Sequence, residues 1–209
     1  MLPFIITAVV SYLIGSFPSG YLAGRIAGID IRERGSGNTG ATNVTRELGK
    51  RYGYPVFFAD FAKGLGTVSL AMVIAKHFKL TNSCEVLQIV AAIFCVIRNT
   101  FPVWLRFRGG KGVATSAGAL FGLAPLATLV AVVVWVLTFE ITRYVSLASI
   151  IAAVALPLAI FVLGCFNHTD GSLLFYFSIC LAAVVILRHR SNLSRLMRGT
   201  EPRFDRSED

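Results

Sequence analysis

Long apolar runs alternate with short polar segments along almost the whole chain. Runs near the ~20 residues that cross a bilayer as a helix cover residues 2–23, 54–75, 86–105, 113–141, 145–166 and 172–187. This pattern predicts an all-α integral membrane protein. We expect residues 1–209 to form a single polytopic domain.

The polar segments predict the orientation of these runs. Residues 25–51 carry six Lys or Arg, residues 98–111 carry four without an acid, and the tail from residue 188 carries six Arg. The positive-inside rule places all three in the cytoplasm. Residues 167–171 hold no Lys or Arg and fit the outside.

Residues 98–111 are then cytoplasmic and residues 167–171 are outside, so an odd number of crossings must lie between them. Because residues 145–166 cross once, residues 113–141 must cross twice, turning near residues 122–125. The sequence therefore predicts about seven transmembrane helices, an outside N-terminus and a cytoplasmic C-terminus. The 29 residues of this run give only about 43 Å of helix at ~1.5 Å per residue, less than two crossings of ~30 Å. We therefore expect one of the two arms to be short or tilted.

Composition supports the membrane assignment. The chain is 55% hydrophobic and 15% charged, with a mean hydropathy of +0.69, which is more apolar surface than a soluble domain of this size can bury. The net charge of +9 lies mainly in a few loops and indicates an anionic lipid or substrate. Nucleic acid is excluded, because it would need a large soluble basic face.

Four cysteines lie at wide spacings, and three of them fall inside apolar runs. This spacing indicates neither a disulfide framework nor a zinc site.

Asp60 and Lys63 lie three residues apart within an apolar run, so they share one face of a helix. A charge within the bilayer costs on the order of 2.5–3.5 kcal/mol, so the pair should face the protein interior or the cytoplasmic boundary. Two interpretations stay open: a structural ion pair, or a lysine that reaches an anionic site.

Two polar loops are rich in glycine. Residues 35–40 read GSGNTG, but the dinucleotide-binding fingerprint requires a preceding strand, which is missing here. Residues 108–112 read RGGKG, without the spacing of a P-loop. Glycine still exposes backbone N–H groups that can surround an anion. Each loop alone could be a positive-inside anchor, whereas several such loops on one face favour an anion site.

Eight motifs, which include the two glycine loops and the pair Asp60 and Lys63, lie in order along the chain. They are residues 15–21 (GSFPSGY), 35–44 (GSGNTGATNV, followed by Arg46 and by LG at 48–49), 60–64 (DFAKG), 101–103 (FPV), 109–115 (GGKGVAT), 142–149 (TRYVSLAS), 188–192 (RHRSN) and 199–202 (GTEP). Together they resemble the bacterial acyl-phosphate glycerol-3-phosphate acyltransferases, the PlsY family. The resemblance implies a seven-span protein of the bacterial cytoplasmic (inner) membrane with its active site facing the cytoplasm.

The resemblance also implies the reaction. A fatty acyl group moves from a long-chain acyl phosphate to the 1-hydroxyl of sn-glycerol 3-phosphate, giving lysophosphatidate and phosphate. No metal, coenzyme A or other cofactor is expected, and the partners are these two substrates and membrane lipid.

By the same resemblance, site roles fall on thirteen positions. The catalytic positions are Ser36, His189 and Asn192. The positions that bind substrate phosphate are Gly35, Gly37, Asn38, Arg46, Lys63, Gly109, Gly110, Lys111, Gly112 and Ser146.

One departure stands out, because Arg98 and Asn99 occupy positions where the family usually has Gly-His. An asparagine cannot take a proton at neutral pH, although it can still hydrogen-bond. An essential base at this position is therefore not expected.

Two other functions would also explain basic loops. An anion transporter would show inverted repeats with a site at mid-membrane, and no such internal symmetry is visible. A noncatalytic scaffold would explain the basic charge by topology alone, but not the glycine motifs.

Overall fold

A computed structural model describes residues 1–102, 105, 109–167 and 172–204, without the side chains of Thr81 and Asn167. The helices are α1 Leu2–Gly15, α2 Ser19–Ile26, α3 Ala41–Leu48, α4 Lys50–His77, α5 Cys84–Thr100, α6 Val113–Leu123, α7 Pro125–Thr142, α8 Val145–Asn167, α9 Ser172–Arg188 and α10 Arg190–Met197. Short 3-10 turns lie at Ile31–Glu33 and Thr81–Ser83. Every regular element of the described residues is thus helical, which confirms the all-α prediction.

Several helices are long and apolar enough to cross a membrane. Among the described residues the candidate spans are Leu2–Ile26, which contains α1 and α2, and Lys50–His77, Pro125–Thr142 and Val145–Phe166. Helices α9 and α10, bent by 58°, make a fifth if they form one span. The integral membrane class is confirmed. The count of seven crossings and the outside N-terminus stay predictions, as does the single polytopic domain.

The predicted break in the run 113–141 is confirmed. Helix α6 ends at Leu123 and α7 begins at Pro125, which occupies the first turn of its helix. Proline lacks an N–H and clashes within a helix interior, but it is well suited to a helix start. The first arm has 11 residues, which agrees with the expectation of one short arm.

The chain divides into two compact units, Met1–Leu123 and Ala124–Asp209. In the first unit, α4 packs against α1, α3, α5 and α6. In the second unit, α8 packs against α7, α9 and α10.

Glycines bring α4 and α6 close together. A side chain at Gly64 would collide with the carbonyl of Thr115, and one at Gly118 would collide with the carbonyl of Phe61. Small residues permit such a close backbone approach between membrane helices. This contact holds the start of α6, just after the glycines of residues 109–112, against α4.

Candidate active site

The first glycine loop, residues 35–40, is held by the buried side chain of Asn43. The Asn43 Oδ1 accepts hydrogen bonds from the backbone N–H and the hydroxyl of Ser36, at 2.9 and 3.1 Å. Its amide donates to the carbonyl of Arg34 at 3.1 Å. Gly35 and Gly37 have φ angles of +54° and +68°, which glycine adopts at little cost. The loop conformation therefore depends on both glycines and on Asn43.

The same loop leads directly into α3. Asn38 Oδ1 accepts a hydrogen bond of 2.8 Å from the N–H of Gly40, the residue before the first turn of α3. Arg46 lies in the last turn of this helix and is half-buried. The predicted residues Ser36, Asn38 and Arg46 thus belong to one short loop-and-helix segment.

The second glycine loop, residues 109–112, meets the first. A side-chain carbon on Gly110 would lie 3.7 Å from the backbone of Gly40 and 3.6 Å from Asn99 Nδ2. Gly109 packs so closely on the carbonyls of Asn99 and Thr100 that no side chain fits there. The structure therefore brings together the two loops that were singled out separately in the sequence.

Lys111 lies between these glycines and the start of α6. It is half-buried, and the following Gly112 has a φ angle of +76°. The N-terminus of a helix such as α6 favours negative charge. The basic residues at positions 106 and 108 lie outside the described residues.

Lys63 sits within a buried polar network. Its ammonium lies 2.6 Å from the carboxylate of Asp60 and donates to the carbonyl of Phe17 at 2.8 Å and to Asn99 Oδ1 at 3.1 Å. Ser19 also donates to Asp60. These contacts support the ion-pair interpretation. Binding of a substrate phosphate by Lys63 stays a prediction.

In the second unit, a buried carboxylate gathers two predicted residues. Glu201 accepts hydrogen bonds from Ser146 Oγ at 2.7 Å and from Asn192 Nδ2 at 2.6 Å. Arg195 Nε donates to the same carboxylate at 2.8 Å. Burial raises the pKa of Glu201, but the three hydrogen bonds outweigh it and leave the pKa below its usual range. The carboxylate is therefore ionised at neutral pH.

His189 is also buried in this unit, at 2% exposure. Its Nδ1 lies 2.8 Å from the carbonyl of Val185. Because a carbonyl oxygen can only accept, Nδ1 must carry the proton. In the neutral ring Nε2 is then the nitrogen with a lone pair.

Sequence reasoning missed two residues that hold these groups. Asn43 and Glu201 lie within the motifs 35–44 and 199–202, but they were not among the predicted site residues. Each accepts hydrogen bonds from side chains that were predicted. They were missed because a lone Asn or Glu in a polar segment usually faces water. The signal that could have identified them was their position inside a motif.

Comparison with known proteins identifies the family. The family model for glycerol-3-phosphate acyltransferase matches residues 5–199. The chain belongs to the glycerol-3-phosphate acyltransferase family. The match includes both glycine loops and the residues Ser146, His189 and Asn192, and it ends just before Glu201. It confirms the resemblance drawn from the motifs.

Relatives from this family cover nearly the whole chain. The glycerol-3-phosphate acyltransferase of Prochlorococcus marinus is 46% identical over 204 residues, which is 96% of this chain and 94% of the relative. That of Geotalea daltonii is 41% identical over 202 residues, or 97% and 98% of the two chains.

The chain is also similar to two crystal structures of PlsY (YgiH), an integral membrane glycerol 3-phosphate acyltransferase. The glycerol 3-phosphate form has a TM-score of 0.84 and 40% identity, covering 97% of this chain and 96% of that chain. The lysophosphatidic acid form has a TM-score of 0.83 and 39% identity, covering 98% and 97%.

Proposed function

We propose that this protein transfers a fatty acyl group from an acyl phosphate to the 1-hydroxyl of sn-glycerol 3-phosphate. The products are lysophosphatidate and inorganic phosphate, and the reaction is an early step of phospholipid synthesis. The observation that carries this proposal is the family match over residues 5–199, together with the similar structures in glycerol 3-phosphate and lysophosphatidic acid forms.

The chemistry of the donor explains what the protein has to supply. An acyl phosphate is a mixed anhydride, so its carbonyl is already activated. The glycerol 3-phosphate hydroxyl adds to that carbonyl, the bond from the carbonyl carbon to the phosphate oxygen breaks, and the departing phosphate accepts the hydroxyl proton. A protein nucleophile is therefore unnecessary.

The main obstacle is the repulsion between two phosphate dianions. At ~6 Å and an effective dielectric of ~20, the repulsions sum to about 11 kcal/mol. Cations and N–H groups that surround the phosphates reduce this barrier. The glycine loops that meet at Gly40 and Gly110, with Arg46 and Lys111 beside them in sequence, support phosphate binding in the first unit.

A second need is a donor for the oxyanion that develops on the acyl carbonyl. We assign this role to Asn192, or to Ser36 if its hydroxyl hydrogen turns from Asn43 Oδ1 to the oxyanion. The hydrogen bond from Asn192 Nδ2 to Glu201 fixes the direction of this amide, and such preorganised donors are what stabilise a developing oxyanion. His189 and Ser146 would orient the reacting groups.

We also assign the protein to the bacterial inner membrane, with the site facing the cytoplasm. The support is the basic character of the segments that carry the site residues, since basic loops stay on the cytoplasmic side. In this orientation the site takes up glycerol 3-phosphate from the cytoplasm and releases phosphate into it.

The test uses purified protein in detergent with an acyl phosphate and glycerol 3-phosphate, in EDTA and without coenzyme A. We expect lysophosphatidate and phosphate to form in equal amounts. Parallel assays with acyl-coenzyme A and with acylated acyl carrier protein identify the donor. Activity with either of these thioesters but not with acyl phosphate would overturn the acyl phosphate assignment. Solute accumulation in sealed vesicles without lysophosphatidate would favour the transporter instead.

A further inference from the structure

Helix α10 turns away from α9 as soon as that apolar helix ends. The 17 residues of α9 give about 26 Å of helix at ~1.5 Å each, close to the ~30 Å hydrocarbon core of a bilayer. Only His189 separates the two helices, and they are bent by 58°. Arg190 and Arg195 lie within α10, and Arg198 follows it. Because arginine is costly inside the hydrocarbon core, α10 is better suited to the membrane surface than to a continued span.

One side of α10 is held by the protein. Asn192 is buried and donates to Glu201 at 2.6 Å, and Arg195 Nε donates to the same carboxylate at 2.8 Å. The helix also packs against α8 and α9. These contacts fix the rotation of α10 about its axis and therefore determine which residues it exposes.

The other side of α10 exposes apolar and basic residues together. Leu193 is 40% exposed and Met197 is 78% exposed, and Arg190 and Arg198 are exposed as well. At 3.6 residues per turn, Leu193 and Met197 form one edge of this side, Arg190 lies beside Met197, and Arg198 lies towards the other edge. Apolar side chains next to basic ones are typical of a helix that lies in the membrane interface.

The bilayer offers what this exposed side lacks within the protein. Among the described residues, neither Arg190 nor Arg198 forms an ion pair. Anionic headgroups attract arginines that lie just outside a membrane-spanning helix, and the acyl-chain boundary below them accepts side chains such as Leu193 and Met197. A membrane surface with negative charge therefore matches both kinds of residue.

We propose that the exposed side of α10 lies on the cytoplasmic surface of the bilayer and binds anionic phospholipid. Leu193 and Met197 enter the acyl-chain boundary, and Arg190 and Arg198 contact headgroup phosphates. The contact supports the helix that carries Asn192 from the side away from Glu201. Lipid binding does not rest on the proposed acyl transfer.

The first experiment asks what lies against α10. The photoreactive residue p-benzoylphenylalanine is placed at position 193, 197 or 191 of the full chain, and bacterial membranes are irradiated. Ser191 is the matched control, because it is exposed but lies on the edge away from Leu193. We expect mass spectrometry to find phospholipid adducts several-fold more often at positions 193 and 197 than at 191. Equal yields at the three positions, or adducts to a protein in place of lipid, would overturn the proposal.

The second experiment tests the arginines. Native mass spectrometry measures the dissociation constant of phosphatidylglycerol for the detergent-solubilised protein. We expect Arg190→Gln and Arg198→Gln each to raise it by about fivefold, the effect of one basic residue near an anionic surface, whereas Arg190→Lys should stay within about twofold. The control Arg51→Gln removes an exposed charge from α4 and should change it by less than twofold. A double variant at positions 190 and 198 that stays within twofold of the parent, or an equal loss in Arg51→Gln, would overturn the proposal.

The lipid contact and the acyl transfer can be refuted separately. Failure of the unmodified protein to make lysophosphatidate would refute the proposed function and leave lipid adducts at positions 193 and 197 standing. An active protein without those adducts would refute the lipid contact and leave the acyl transfer standing.

Discussion

Ser146 donates a hydrogen bond of 2.7 Å to Glu201, which lies 55 residues further along the chain. The same carboxylate accepts from Asn192 and Arg195. Ser146 and Asn192 were predicted to be site residues, and both are held by Glu201, which was not. Under the proposed function, Glu201 would act through Ser146 and Asn192, as a positioning residue.

The first prediction concerns Glu201→Gln. The substitution replaces an accepting oxygen with an N–H₂ group in a place where three donors converge, so at least one of the three donors loses its acceptor. We expect the free energy of unfolding to fall by roughly 1–3 kcal/mol, with lower acyl transfer. Thermal unfolding in detergent measures the change. The control is Glu140→Gln, which breaks an exposed pair with Arg143 and should cost about 1 kcal/mol or less.

The same variant predicts a pH dependence. The folded-state pKa of Glu201 lies below its ordinary value of 4.5, so its contribution to stability is present above that value. It is lost as the pH falls through the folded-state pKa. Below about pH 4.5 the melting temperature of the parent should therefore fall more steeply than that of Glu201→Gln. Parallel curves would contradict this role of the carboxylate.

Part of the fold could be predicted from local chemistry. The apolar runs give the helices, and Pro125 marks the division of residues 113–141, because proline favours a helix start. The contact of Gly64 with Thr115 could not be predicted, since it depends on which helices become neighbours. In the same way, α5 ends at Thr100, although the apolar pattern continues to residue 105.

The sequence predicted those parts of the site in which glycine marks an unusual backbone conformation. Gly35, Gly37 and Gly112 all have positive φ angles. Because glycine adopts such angles at little cost, glycine at these positions was a signal that the sequence alone could give. Asn43 and Glu201 were not found, because a lone polar or charged residue in a polar segment usually faces water. Only the tertiary structure shows that both are buried.

A second prediction separates packing from substrate space in the second glycine loop. Gly109→Ala should destabilise the protein, because its side chain would collide with the carbonyls of Asn99 and Thr100. Gly110→Ala meets only ordinary van der Waals contacts and should leave the melting temperature nearly unchanged. Its activity should nevertheless fall, with a raised KM for a phosphorylated substrate, since the methyl group occupies space beside Gly40. A fully active Gly110→Ala enzyme would argue against phosphate binding at this loop.

A third prediction concerns topology. Tags at residue 1 and near residues 167–171, of which 168–171 lie outside the described residues, should be accessible from the periplasm. The segments around Gly35 and Gly110 and the C-terminus should be cytoplasmic. A cysteine introduced at Arg34, an exposed residue next to Gly35, and a tag at the C-terminus should therefore be accessible only from the cytoplasm. Labelling of intact and opened cells with a membrane-impermeant reagent distinguishes the two sides. Residues 167–171 and the C-terminus on the same side would refute seven crossings.

The last prediction distinguishes catalysis from charge that only sets topology. Lys111→Gln and Arg46→Gln each remove one cation beside the glycine loops and leave most of the local basic charge. Insertion should therefore be unchanged, as it should for Arg51→Gln, which removes one charge from an exposed position of α4. Loss of a charge-assisted phosphate contact costs about 1.5–3 kcal/mol, so kcat/KM for glycerol 3-phosphate should fall by roughly 10- to 150-fold. Arg51→Gln should stay within about twofold of the parent, because an exposed charge contributes little. If both folded site variants also stayed within twofold at subsaturating glycerol 3-phosphate, the basic residues of these loops would serve only as membrane anchors, and phosphate binding would have to lie elsewhere in the chain.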